Sequence, residues 1–242
     1  MAIITNKSIF YHIPKTGGTW VARALHYSMR NNSDYMTRRP KVYRGEVDSS
    51  SYWKRSVAEM WGGLMDRSHQ IPLNVAKEDK KGLFSYIFVR RPLSWYKSWW
   101  LARKAARDSG RPWVIFLLDF ALDDDFEKFV INALKMFPQG PLTTLYKCFL
   151  GENGDALDFV GKQENLREDL IKALTLAGEN FNKDIIRNLL RFNARAFTVQ
   201  QLRKKNVPEE SFNILIKNIN INSNLEKRLK EKERWITDTF YK

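Results

Sequence analysis

Cysteine is almost missing from this chain of 242 residues. Cys148 stands alone, so no intrachain disulfide and no cysteine-based zinc site can form. Only three histidines occur, His12, His26 and His69. None lies at metal-ligand spacing from another, which argues against a metal centre. Long hydrophobic runs are also lacking: the longest, Trp113 to Leu118, falls far short of the ~20 residues needed to span a bilayer. Residues Met1 to Lys7 carry no apolar leader, so neither a signal peptide nor a membrane anchor is expected ahead of the first strand. These absences point to a soluble, reducing, cytoplasmic setting. Acidic residues are the scarcer charge, 27 against 41 Lys and Arg, leaving a net +14. Such a balance favours anionic partners: a nucleotide, a sulfated or phosphorylated polymer, nucleic acid or a membrane surface. A solvated basic surface would look the same in the composition.

What is present fits a folded protein. Hydrophobic residues make up 43% of the chain and aromatics 13%, enough to bury a core, and residues 1–242 read as a single domain. Near the start, the apolar run from Ile9 to Ile13 enters Pro14-Lys15-Thr16-Gly17-Gly18-Thr19, and helical periodicity begins at Trp20 with Val21, Ala24, Leu25 and Ser28. Strand, glycine turn and helix start, in that order, make an anion site from backbone N–H groups and the helix dipole. Lys15 adds a charge, and Thr16 and Thr19 can add hydroxyls. Lys15 to Thr19 in isolation also make an ordinary tight turn. A Walker A loop is excluded, because the lysine precedes the glycines and no Gly-Lys-Ser/Thr occurs anywhere in the chain.

Farther along, residues 32–56 are polar and read equally as an excursion over a site or as a surface connection. Gly62 to His69 reads as a short strand closed by Pro72. Phe84 to Val89, β-branched and aromatic, is the clearest strand and predicts a central buried position. It runs into Arg90-Arg91-Pro92 and a helix from Leu93 to about Arg107. Phe116 to Phe137 reads as mainly helical, with Phe126, Val130, Leu134 and Phe137 on one face and Asp123-Asp124-Asp125 at its start. A strand is expected over Ala156–Gly161, then a helix with Leu166, Leu170, Leu174 and Ala177 on one stripe, ended by Gly178. The last third is helical in pattern. Alternating strands and helices imply an α/β fold with a central parallel sheet flanked by helices.

Three segments carry candidate chemistry. Lys15 and its loop are the first. Arg90 sits where a parallel strand ends, the edge at which open α/β sheets bind ligands, and Ser98 follows two helical turns later. Taken alone, that arginine reads equally as a surface ion-pair residue and the serine as a solvated helix position. His69, at the end of the expected strand and twenty-one residues before Arg90, could act as a general base or be a hydrogen-bonded structural histidine. His12, in the first strand, and His26, on the first helix, read as structural.

Taken in order, these segments resemble the sulfotransferases that use 3′-phosphoadenosine 5′-phosphosulfate (PAPS). Pro14 to Thr19 is similar to that family's 5′-phosphosulfate loop. Val89-Arg90-x-Pro92 with Ser98 is similar to its 3′-phosphate motif. Ser68-His69-x-x-Pro72-Leu73 is similar to the segment holding the catalytic histidine in its cytosolic branch, and Thr19-Trp20 matches the position where that branch stacks a tryptophan on adenine. Val160 to Leu166, continuing to Asp169-Leu170, is similar to a later block of carbohydrate-type members. Arg91 and Trp95 depart from the usual pattern, and the basic-glycine loop of the cytosolic branch is not found.

The resemblance implies a P-loop NTPase-like sulfotransferase fold with a helical C-terminal third. It implies PAPS as co-substrate, PAP (the desulfated donor) as product and no metal. The donor would lie on Lys15, Thr16, Gly17, Gly18, Thr19 and Trp20, with Arg90 and Ser98 on its 3′-phosphate. His69 would be the base, with Glu59 or Glu46 next in line, and Lys15 would stabilise the leaving phosphate. The acceptor would be a small molecule or a glycan. Two rivals differ in class. A P-loop-type kinase or phosphotransferase would need a lysine after the glycines and a Mg²⁺ carboxylate, for which Asp66 is the nearest candidate. A nucleic-acid-binding protein is suggested by +14 and by Trp53, Trp61, Trp95, Trp99, Trp100 and Trp113 among cations.

Overall fold

The computed structural model describes residues 2–30, 71–72, 75–108, 121–137, 139–189, 219 and 221–242. The expected strand at 62–69, and the acidic candidates Glu46, Glu59 and Asp66, lie outside them. The chain divides into two compact units, Met1–Arg90 with Thr144–Leu189, and Arg91–Thr143 with Leu190–Lys242.

The first unit holds a four-stranded sheet in the order β1-β2-β3-β4: β1 Ala2–Ile4, β2 Ser8–Tyr11, β3 Phe84–Val89 and β4 Phe159–Lys162. β2, β3 and β4 are parallel, pairing Phe10 with Tyr86 and Phe88 with Gly161. β1 is antiparallel to β2, with Ile3 opposite Phe10, so the sheet is mixed rather than all parallel. Three residues are too few to show a period in sequence, which is why β1 went unread. Its turn is held by side chains. Thr5 Oγ1 donates to Ser8 O at 3.0 Å, and the Glu179 carboxylate accepts from Lys7 N and Ser8 Oγ, both at 2.9 Å, and from Thr5 Oγ1.

Three helices cover this sheet through one core: α1 Gly18–Met29, α6 Leu166–Leu176 and α7 Lys183–Asn188. (Between them in sequence come α2 Lys77–Lys80, α3 Pro92–Asp108, α4 Phe126–Met136 and α5 Pro141–Leu150.) Trp20, Val21, Ala24, Leu25, Ser28 and Met29 of α1 are buried, the 3.6-residue stripe expected of that segment. They join Phe10, Tyr86 and Phe88 from the sheet, Leu166, Leu170 and Leu174 from α6, and Ile186 from α7. Gly178, at a φ of 68°, stands beyond the C-terminus of α6, where a left-handed residue ends a helix.

The second unit is helical where described. Its core is aromatic: Trp95 and Trp99 of α3 lie 5.0 Å apart between ring centroids, Tyr96 meets Phe129, and Trp100 meets Phe126. Asp125 caps α4, accepting from Glu127 N at 2.8 Å and Lys128 N at 3.2 Å, an arrangement worth about 1 kcal/mol. Phe126, Val130, Leu134 and Phe137 are all buried, as their spacing predicts. The C-terminal helical segment is two helices, α8 Ser223–Lys232 and α9 Arg234–Phe240, divided at Glu233. No helix among the described residues is long and apolar enough to cross a membrane.

Candidate active site

Parallel pairing brings the carboxyl ends of β2, β3 and β4 to one edge of the sheet. β2 leads to the Lys15 loop, β3 ends at Val89 before Arg90, and β4 ends at Lys162 before Gln163. The loop turns tightly. Thr16 N donates to Ile13 O at 3.4 Å and Thr16 Oγ1 donates to the same carbonyl at 2.8 Å. Lys15 has a φ of 67°, the one non-glycine residue with positive φ among the described residues. For a lysine this left-handed backbone costs about 1–2 kcal/mol and persists only where surrounding contacts impose it.

Gly17 follows at φ 95°, ψ 6° and forms the N-cap of α1 without a side-chain cap bond. The first intrahelical bonds are those of Trp20 N and Val21 N to Gly17 O, at 2.9 and 3.1 Å. The N–H groups of Gly17, Gly18 and Thr19 thus bond to nothing among the described residues, and no acidic side chain sits in the first turn. Alternation of left-handed residues with their neighbours, ahead of an uncapped helix, forms a concavity lined by backbone N–H groups, the kind of arrangement that can accept an anion. Both glycines are needed for closeness as well. A Cβ on Gly17 would fall 2.7 Å from Leu166 Cδ2, and one on Gly18 would fall 1.8 Å from His12 Cδ2.

Arg90 joins this loop directly. Its Nη1 donates to Lys15 O at 3.1 Å. Tyr146 of α5, fully buried, clasps the Arg90 backbone: Arg90 N donates to Tyr146 Oη at 2.7 Å, and Tyr146 Oη donates to Arg90 O at 3.3 Å. The Lys15 loop and the strand-end arginine, read separately from sequence, are therefore one assembly.

Other expected site residues fall differently. Thr16 is buried and its hydroxyl is committed to Ile13 O, so it serves the turn instead of offering a donor; Thr19 is exposed. Trp20 is 4% exposed inside the core of the first unit, so its indole has no open face for a base. The apolar stripe of α1 required a large residue at that position, and packing took the ring. Ser98 is half-buried on α3, which belongs to the second unit. His69 lies outside the described residues.

Two residues emerge that sequence reasoning did not single out. Tyr146 lies 56 positions from Arg90 and carries no local motif, so no signal in the sequence announced it. His12 was read as structural. Its half-buried ring lies against the Cα of Gly18 and stacks on Phe10 at 6.2 Å, which brings an imidazole to the start of α1 beside the uncapped amides. Its place three residues before Lys15 was the available clue.

Compared with protein-family models, with curated proteins and with solved structures, the chain matches none.

Proposed function

We propose that this protein is a PAPS-dependent sulfotransferase acting on a hydroxyl or amine of a small-molecule or carbohydrate acceptor. One observation carries the reading: the uncapped Gly17–Thr19 amides and the Arg90 guanidinium, which bonds to Lys15 O, stand together at the ends of adjacent parallel strands. A donor with a 5′-phosphosulfate and a 3′-phosphate needs anion-binding groups of this kind. The Gly17–Thr19 amides bind the phosphosulfate, and Arg90 supplies the cation for the 3′-phosphate. The acceptor oxygen or nitrogen attacks sulfur in line as the bond from sulfur to the bridging oxygen breaks. Lys15 stabilises the charge building on that oxygen, and a base takes the acceptor proton. No step requires a metal.

The resemblance assigns the base to His69. The position of His12 against Gly18 favours a second assignment within the same reaction, because an imidazole there stands beside the loop that holds the reacting group. Neither rival class fits as well. Lys15 precedes the glycines, against a kinase loop, and Trp95, Trp99 and Trp100 are at most 3% exposed, so their faces pack on protein instead of on bases.

Calorimetric titration with PAP, followed by incubation with sulfur-labelled PAPS and an acceptor panel, tests the proposal. Binding of PAP and transfer of label are expected; absence of PAP binding overturns it. Within a positive result, the true base is the histidine whose alanine variant lowers kcat by ~10²–10⁴-fold while PAP affinity holds. If neither His69→Ala nor His12→Ala does so, both assignments are wrong.

A further inference from the structure

Resting on that reading, we propose that Tyr146 is a positioning residue, acting through Arg90 to hold Lys15 in the left-handed conformation that leaves the Gly17–Thr19 amides open. The chain of contacts is continuous. Tyr146 is buried on α5 with its hydroxyl bonded to both backbone polar groups of Arg90, at 2.7 and 3.3 Å. Those bonds hold Arg90 immediately past the end of β3, after Val89. From there its guanidinium donates to the carbonyl of Lys15 at 3.1 Å. That carbonyl belongs to the strained residue itself, at φ 67°. An unfavourable φ relaxes unless something outside the turn opposes it, and a charged donor on the adjoining carbonyl does so. The Thr16 N–H of that same peptide and the Thr16 hydroxyl both donate to Ile13 O, so the turn is held from both ends of the peptide.

A guanidinium carries five N–H donors in a planar fork, so gripping Lys15 and meeting an anion are not exclusive. Arg90 then has a role before any ligand arrives: it keeps the cradle formed. Tyr146, in turn, sets where that fork can reach. A hydroxyl serving two backbone atoms of the residue whose guanidinium grips Lys15 O is more than packing, because a phenyl ring of the same shape would fill the same space.

Tyr146→Phe tests this, since it keeps the ring and removes only the bridging oxygen. The first readout is amide hydrogen exchange of peptides covering residues 13–21 in the ligand-free protein. Exchange there should quicken about tenfold, as expected for loss of a bond worth close to the free energy of one decade. The second is calorimetry with PAP and with adenosine 5′-phosphate. Both affinities should fall by a similar factor, about tenfold, because the shared 5′ cradle has loosened. Arg90→Gln, which cannot grip Lys15 O with a charged donor, should reproduce the faster exchange and guards against misfolding of the first variant. Unchanged exchange over residues 13–21 in both variants overturns the proposal. So does a loss confined to PAP, which would make Tyr146 a support for 3′-phosphate recognition alone. If the parent protein binds no PAP, the sulfotransferase reading fails, and the exchange measurement decides the role of Tyr146 by itself.

Discussion

Lys15 bears two loads that can be separated. In the proposed reaction its amine carries the charge, and its backbone carries the strain of a positive φ. Lys15→Ala removes the first and keeps the second, whereas Lys15→Gly removes both. Turnover should be lost in each, but the glycine variant should be the more stable by about 1 kcal/mol, a rise in melting temperature of roughly 2–4 °C. Equal melting of the two would show that the turn is not strained. Gly18 makes a second residue-scale test. A methyl group there overlaps the His12 ring, so Gly18→Ala should destabilise by about 1–3 kcal/mol. The double variant with His12→Ala should recover most of that loss, because the clash is pairwise. If stability stays low in the double variant, the close approach of His12 to Gly18 is not what the glycine serves.

Among the elements, α5 is held by two residues remote in sequence. Tyr146 ties it to Arg90, while its N-terminal turn is capped from Glu233 at the junction of α8 and α9. The Glu233 carboxylate accepts from Leu142 N at 3.1 Å and Thr143 N at 2.7 Å, and from the hydroxyls of Thr143 at 2.6 Å and Tyr96 at 2.7 Å. It is fully buried, and burial raises its pKa above the ordinary carboxylic value despite the opposing hydrogen bonds from Thr143, Tyr96 and Leu142. Burial and Glu233 together push the Tyr96 phenol upward as well. The sign for stability follows. The folded protein keeps a proton on Glu233 at pH values where the unfolded chain has lost it, so this group's contribution is largest in acid. That contribution fades as pH rises from the ordinary carboxylic value through the raised one. In melting curves taken from about pH 4 to 8, the advantage of the parent protein over Glu233→Gln should therefore shrink with rising pH. A constant difference across that range would mean that Glu233 titrates alike in both states.

At the scale of the whole molecule, the net charge of +14 draws anions without selecting among them. Retention of single-stranded nucleic acid on a filter should collapse as salt approaches about 0.5 M, since diffuse attraction depends on released counterions. What persists at low salt should be displaced by PAP, if the strand-end site is the strongest anion site on the protein. Retention that PAP leaves untouched would favour a nucleic-acid-binding role instead.

Sequence by itself determined the local features. Phe84–Val89 is a strand because its residues are β-branched and aromatic, and α1 shows its buried stripe in the spacing from Trp20 to Ser28. The apolar face of α4 shows in the spacing of Phe126, Val130 and Leu134, although residues 121–124, expected within that helix, precede its Asp125 cap. The turn of Lys15 and its two glycines between a strand and a helix, and Arg90 just past the end of another strand, were legible because those elements follow one another along the chain. Tertiary structure decided what those signals left open. Whether Trp20 faces a base or a core depends on what closes around it, and Tyr86, Phe88 and Leu166, which share its core, are distant in sequence. The antiparallel β1, the commitment of the Thr16 hydroxyl and the place of His12 against Gly18 depend likewise on how the chain closes on itself. Above all, the union of Lys15, Arg90 and Tyr146 needs hydrogen bonds across 75 and 56 residues, and no local periodicity encodes a partner so far away.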